Sequence, residues 1–295
     1  MSANPKPDPK SNTQPNTDPS NPHRADSVEL SQADKAKQLR LACRSHIVIP
    51  ARLASSRLQQ KLLLRETGKS VLHHTHEAAC SATLPLGITV AVDSEELAEE
   101  VACFGGKCIR TDPQLPSGTD RVVVAAKQLS GIDIIVNVQG DEPEIDGAAI
   151  DQVIELLQSD PSADVATLAT PIREKEKVFD PACVKVVLSH DGTAHYFSRS
   201  PIPFPREWNE AFLQQDPPLY LQHIGLYAYR HDFLMRLQEL QPSPLEETEK
   251  LEQLRFLQSG KRIVVGLVSD APKGIDTQED YRAFVARILA RSASE

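Results

Sequence analysis

Apolar and polar positions along this chain follow two different periods, and the switching between them predicts its architecture. From His46 onward the runs "HIVIP", "GITVAV" and "IDIIVNV" read as strands buried on both faces, because β-branched residues fill consecutive positions. Between and after them come "SVLHHTHEAACSA", "SEELAEEVACFGG", "DRVVVAAKQL" and "AAIDQVIELLQS", whose helical spacing predicts helices. In the second of these Ser94 is placed to cap the N-terminus, acidic residues fill the first turn, and Gly105 stops the helix. Strand and helix in alternation imply parallel pairing with right-handed crossovers, hence an open α/β sheet doubly wound by helices on both faces.

The pattern changes after about Asp164. "DVATLATPI", "CVKVVLSHDGTAHYFSRS" and "LYLQHIGLYAYR" are strand-rich, and Asp191-Gly192 marks a hairpin turn because that pair tolerates positive φ. Helices return at "HDFLMRLQEL" and "PLEETEKLEQLRFLQSG", followed by the strand "RIVVGLVS" and a last helix from Thr277. The expectation is a mostly parallel sheet joined to an antiparallel, strand-rich region.

Composition sets the outer bounds. Residues 1–26 hold six of the 22 prolines and almost nothing to bury, which predicts a disordered arm. Val28, Leu30, Ala33, Ala36 and Leu39 predict a short helix over 27–41, so that 1–43 form an extension ahead of one domain spanning 44–295. A net charge of -9 and a pI near 5.5 exclude a protein that coats nucleic acid, which needs a basic face. Five cysteines, odd in number and without a C-x-x-C pair, argue against a disulfide framework or zinc site and for buried thiols in a reducing compartment. No apolar run approaches the ~18 residues of a membrane span and no signal-peptide core opens the chain, so a cytoplasmic protein with no membrane partner is expected.

Against that acidic background one cationic loop stands out. "IVIPARLASSRLQQKLL" carries Arg52, Arg57 and Lys61 out of the first strand with Ala51, Ala54, Ser55 and Ser56 among them. Ligands of open α/β sheets sit beyond the carboxyl ends of the strands, and cations with exposed backbone N–H groups suit phosphate; a solvated basic loop shows the same pattern. "IIVNVQGDEPEID" places Asp141 just past another strand, and "GIDTQED" places Asp276 at a third strand-to-helix junction. Two carboxylates facing a cationic loop suit a magnesium-nucleotide site, although a turn acid and a helix cap account for each taken singly. His73, His74 and His76 do not share one helix face and read as structural or solvent-facing.

Seven ordered blocks from His46 to the end carry a resemblance: "IPARLASSRLQQKLL", "SGTDR", "VNVQGDEP", "YFSRSPIP", "HIGLYAYR", "PSPLEETEKLEQLR" and "GIDTQED". Together they resemble the 3-deoxy-manno-octulosonate cytidylyltransferase (CMP-Kdo synthetase) family. The resemblance implies a nucleotide-diphospho-sugar transferase type α/β fold and a homodimer. It also implies conversion of CTP and Kdo into CMP-Kdo and pyrophosphate for lipopolysaccharide assembly. By the same resemblance Arg52, Arg57 and Lys61 meet the CTP phosphates, and Pro50, Ala51, Ser117, Gly118, Thr119 and Gln139 form the nucleotide pocket. Asp141 and Asp276 match magnesium ligands, while Arg199, His223, Tyr227, Glu252 and Gln253 line the sugar-acid site. On this reading about 44–170 bind nucleotide, about 171–260 bind sugar and dimerise, and about 261–295 supply the second metal ligand. The chain departs from the family pattern at Gln59-Gln60, where Pro-Gly is usual, and at Pro116, where Gln is usual. Two rivals remain: a cytidylyltransferase for another sugar acid, and a non-catalytic homologue that binds nucleotide.

Overall fold

The computed structural model describes residues 43–55 and 57–292, so the expected disordered arm and the helix over 27–41 lie outside the described residues. Nine strands form one sheet: β1 (Ser45–Ala51), β2 (Ile88–Val92), β3 (Cys108–Arg110), β4 (Ile134–Asn137), β5 (Val165–Pro171), β6 (Lys185–Leu188), β7 (Ala194–Ser198), β8 (Leu221–Arg230) and β9 (Ile263–Leu267). Their order is β3-β2-β1-β4-β8-β5-β9, with β6 bridging β8 to β7. β1 pairs in parallel with both β2 and β4, and β5 with β9. β8 runs antiparallel between β4 and β5. The antiparallel region is therefore threaded into the parallel sheet and not merely joined to it.

Helices cover both faces, as strands apolar on both sides require. On one face α1 (Val71–Ala79), α2 (Glu95–Cys103), α4 (Gly147–Ser159) and the C-terminal α9 (Gln278–Ser292) pack on Ile47, Ile49, Val136 and Leu226. On the other α3 (Gly118–Ala126), α6 (His231–Met235) and α8 (Gln253–Gln258) pack on Val48, Ile135, Val165 and Tyr229. Each aliphatic side chain so buried contributes about 1.5–3 kcal/mol. α5 (Lys175–Phe179) and β6 border a smaller cluster of Ile172, Val178, Leu213, Tyr220 and Trp208. Ser70, Ser94 and Ser117 each accept from a backbone N–H three residues on, which fixes where α1, α2 and α3 begin.

Two stretches differ from their periodicity. "PLEETEKLEQLRFLQSG" forms two helices, α7 (Pro244–Glu249) and α8, broken where Lys250 takes φ +53°. The break lets Leu251 enter the core, and Glu252 reaches back to α3. "HDFLMRLQEL" yields only α6 and one 3-10 turn, Leu237–Glu239. The expectation of buried thiols is also corrected. All five cysteines are free, but Cys80, Cys103 and Cys108 are exposed and only Cys183 is buried. Cys80 and Cys103 each sit at a helix end, and Cys108 lies on the edge strand β3, places that the apolar patterning does not reach. His73 and His76 pack on Phe104 at 4.7 and 4.9 Å, and His74 meets Thr67 Oγ1 at 2.7 Å and the Phe284 ring, so the histidine trio is structural.

Candidate active site

The order β3-β2-β1-β4 reverses direction between β1 and β4, and a crevice opens beyond the carboxyl ends of those two strands. Gly140 closes its floor: a Cβ there would lie 2.9 Å from the Pro50 carbonyl oxygen, so only glycine lets the two strand ends meet. Beyond them lies a cavity of about 320 Å³ lined by Pro50, Arg52, Lys61, Ser117, Gln139 and Asp141, with Gly118 at the start of α3. Ala51 is fully buried in β1 behind Pro50, where it packs rather than lines the cavity. Thr119 is buried one residue further into α3, and its hydroxyl donates to Glu252 Oε2 at 2.5 Å.

The cationic loop and the two acids converge here. Lys61 Nζ donates to Asp141 Oδ2, to the Ile275 carbonyl oxygen at 2.8 Å and to Asp276 Oδ1 at 3.4 Å. Arg57 reaches Asp276 at 3.2 Å from the exposed side. The segment bearing Asp276 is docked by the Ile275 N–H, which donates to the Asp141 carbonyl at 2.9 Å, and by Arg287 of α9, which donates to Glu144 at 2.9 Å. Asp276 is not the cap of α9, because Thr277 and Asp280 cap that helix reciprocally. Its carboxylate is therefore turned to the lysine. Two carboxylate oxygens around one cationic centre, open to the cavity, are a donor set that would suit a hard divalent ion.

Residue 60 resolves the departure from Pro-Gly. Gln60 adopts φ +47°, the left-handed conformation glycine accepts without cost, and the loop presents Lys61 from the 3-10 turn Lys61–Leu63. Gln60→Gly is expected to stabilise the protein by about 0.5–1 kcal/mol, read as a higher urea midpoint with unchanged slope.

Two of the residues expected at the sugar, His223 and Tyr227, lie one strand over, on β8. Tyr227 pairs with Asn137 of β4, and its ring stands 5.4 Å from that of His223. Between them β8 bulges: Thr167 and Leu168 of β5 pair with Tyr227 and Ile224, which leaves Gly225 and Leu226 outside the ladder. Thr167 Oγ1 lies 3.0 and 2.8 Å from the Ile224 and Leu226 carbonyl oxygens, so its one proton goes to a carbonyl, and His223 Nε2, at 3.0 Å, donates to it. Burial lowers the His223 pKa to about 3, which leaves a neutral ring with Nδ1 as an acceptor. Burial, reinforced by Glu252, pushes the Tyr227 hydroxyl well above its ordinary range, and burial raises the Glu252 carboxyl. Ser198 pairs with Lys185 and Lys185 with Gln222, a register that brings Arg199 to the His223 end of β8. Arg199 is held by backbone carbonyls of Glu249 and Pro181, at 2.7 and 2.9 Å, which orient its guanidinium without neutralising it. Gln253 is buried at the start of α8 beside Glu252.

Between about pH 3 and 6.5 the folded protein holds fewer protons at His223 than the unfolded chain does, so stability rises with pH across that window. Acidification from pH 7 to 5 is expected to cost about 2 kcal/mol from this group, measured by denaturant unfolding at the two pH values.

Two site residues escaped the sequence reading. Arg121 of α3 is buried at 3% exposure, pairs with Asp93 at 3.2 Å and lines the cavity wall. Its signal was a lone charge opening the apolar run "RVVVAA". Glu142, the second acid of "GDEP", is the other.

Comparison with known proteins places this geometry. The family described as Cytidylyltransferase matches residues 46–263. A 3-deoxy-manno-octulosonate cytidylyltransferase of Rhodopirellula baltica is 54% identical over 243 residues, covering 82% of this chain and 97% of that protein. An 8-amino-3,8-dideoxy-manno-octulosonate cytidylyltransferase of Shewanella woodyi is 43% identical over 246 residues, covering 82% of this chain and 97% of that protein. Among solved structures, CMP:2-keto-3-deoxy-manno-octonic acid synthetase complexed with CTP superposes with a TM-score of 0.78 at 38% identity, covering 84% of this chain and 99% of that one.

Proposed function

Because the chain belongs to the cytidylyltransferase family, we propose that it transfers CMP from CTP to 3-deoxy-D-manno-octulosonate, releasing pyrophosphate. The observation that carries this reading is the meeting of Lys61, Asp141 and Asp276, from three separate strand ends, beside a cavity that also takes Arg52 and the start of α3.

The sugar acid's anomeric 2-hydroxyl attacks the α-phosphorus, a new O–P bond forms, and the bond to the pyrophosphate oxygen breaks in line. Such a transfer asks the protein for position and charge more than for a strong base. Arg52 and Lys61, with Arg57 at the rim, neutralise charge developing on the leaving pyrophosphate. Pro50, Ser117, Gly118, Thr119 and Gln139 hold the nucleotide. Asp141 and Asp276 would hold Mg2+, which when bound would supply positive charge to the phosphates and lower the pKa of the attacking hydroxyl. Arg199 offers its charge to the sugar carboxylate, and His223, Tyr227, Glu252 and Gln253 face the hydroxyls.

A cytoplasmic homodimer completes the proposal. No helix among the described residues is long and apolar enough to cross a membrane. Phe179 and Phe204, 45% and 76% exposed, are two large apolar side chains that contact with a second copy would cover.

The test is magnesium-dependent pyrophosphate release from CTP with and without the sugar acid, repeated with ATP, GTP and UTP. Release only with CTP, the sugar acid and Mg2+ together is expected. The Shewanella relative favours one second reading, an 8-amino acceptor, and faster turnover with that amino sugar in the same assay would establish it.

A further inference from the structure

The acid that follows Asp141 has no part in the phosphate site. The turn that sends the chain back from β4 places Glu142, whose N–H donates to the Gln139 carbonyl at 3.2 Å. Its side chain lies between two glycines brought together from distant parts of the chain. A Cβ at Gly274 would stand 3.8 Å from its Cγ, and one at Gly225 would stand 4.0 Å from its Oε1. Gly225 lies on β8 midway between His223 and Tyr227, and strand alternation puts the three on one face. The alternation survives the bulge that Gly225 and Leu226 make against β5, since Ile224, Leu226 and Ala228 all enter the core of the opposite face. Glu142 thus reaches β8 where a side chain is missing between the histidine and the tyrosine.

Glu142 Oε2 is buried and has no hydrogen-bond partner among the described residues. An unpaired oxygen in such a place costs stability, and nothing in the packing returns it. Glu144, two residues on, is by contrast paired with Arg287 and Arg291 and does the structural work of this loop.

We propose that Glu142 is a binding residue for the sugar acid, its free Oε2 taking a hydrogen bond from a substrate hydroxyl held over Gly225 between His223 and Tyr227. The inference rests on the proposed function and deepens it. A polyol is recognised by fixed groups that each take one hydroxyl, and the imidazole Nδ1, the phenol and this carboxyl are three such groups around one gap.

The experiment is steady-state kinetics of the full chain with CTP and 3-deoxy-manno-octulosonate varied separately, for wild type, Glu142→Met and Glu142→Gln. Loss of one such hydrogen bond is expected to raise the sugar KM about tenfold in Glu142→Met. The KM for CTP and the half-saturating Mg2+ concentration stay within about twofold of wild type, because the carboxyl touches neither. Glu142→Gln keeps the shape and one oxygen, so its sugar KM falls between the other two. It carries the same readout if the methionine variant does not fold. Both folded variants are expected to melt no lower than wild type, since each removes a buried unpaired acid. Active wild type with an unchanged sugar KM in both variants would overturn the inference alone. A change confined to the Mg2+ dependence would also overturn it, by putting the carboxyl on the metal side. Wild type inactive with this sugar acid would overturn the functional reading and the inference with it.

Discussion

Asp141→Asn is expected to give a folded protein that releases pyrophosphate about a thousandfold more slowly than wild type, near the upper end of what one electrostatic contact at a reacting phosphate contributes. The substitution keeps size and shape, and the Asp141 carbonyl still accepts from Ile275, so the loop that carries Asp276 stays docked. What is lost is the charge that faces Lys61 and would hold the divalent ion. Asp141 is 28% exposed, so the change opens no cavity, and near-ultraviolet circular dichroism should be unaltered. Single-turnover release of pyrophosphate is the measurement. A variant that keeps a tenth or more of wild-type activity would take Asp141 out of the reacting centre.

Lys61→Met is expected to lower kcat about a hundredfold and also to change how the protein responds to magnesium. In the structure the amine occupies the space between Asp141 and Asp276 and satisfies both. Without it Asp141 loses its cation and faces Asp276, which keeps only the exposed Arg57, and this should cost about 1–2 kcal/mol of stability in the absence of metal. A divalent ion then meets no competing amine. Thermal shift with increasing Mg2+ should stabilise Lys61→Met more than wild type, by mass action on a site freed of its internal cation. Equal shifts in both proteins would mean that amine and ion do not share the carboxylates.

The doubly wound part of the fold was legible because strands buried on both sides write themselves as unbroken β-branched runs. The meeting of the cationic loop with Asp141 followed, since Arg52 comes directly after β1, Asp141 lies in the turn that follows β4, and the topology sets those two strands side by side. The placement of β8 was not legible: nothing in "LYLQHIGLYAYR" says that it inserts antiparallel between β4 and β5. The break at Lys250 was hidden for another reason, because a good helical sequence was overruled by the burial of Leu251 and the bond from Thr119 to Glu252. Glu142 was in plain view within a quoted block, but its meaning depends on Gly225 and Gly274, which only the folded chain brings to it.

The threading of β8 between β4 and β5 sets the order in which this protein can become active. Lys61 and Asp276 are separated by 215 positions, and β8, which carries His223 and Tyr227, is made only after two thirds of the chain. At about 5–20 residues per second on the ribosome, the first cation waits on the order of ten seconds or more for its second carboxylate. Until then β4 and β5 lack the partner that separates them in the finished sheet, and their open edges are available to other chains. Nascent protein should therefore bind triphosphate only weakly and be prone to aggregation, and both properties should change together when the last strands and α9 dock.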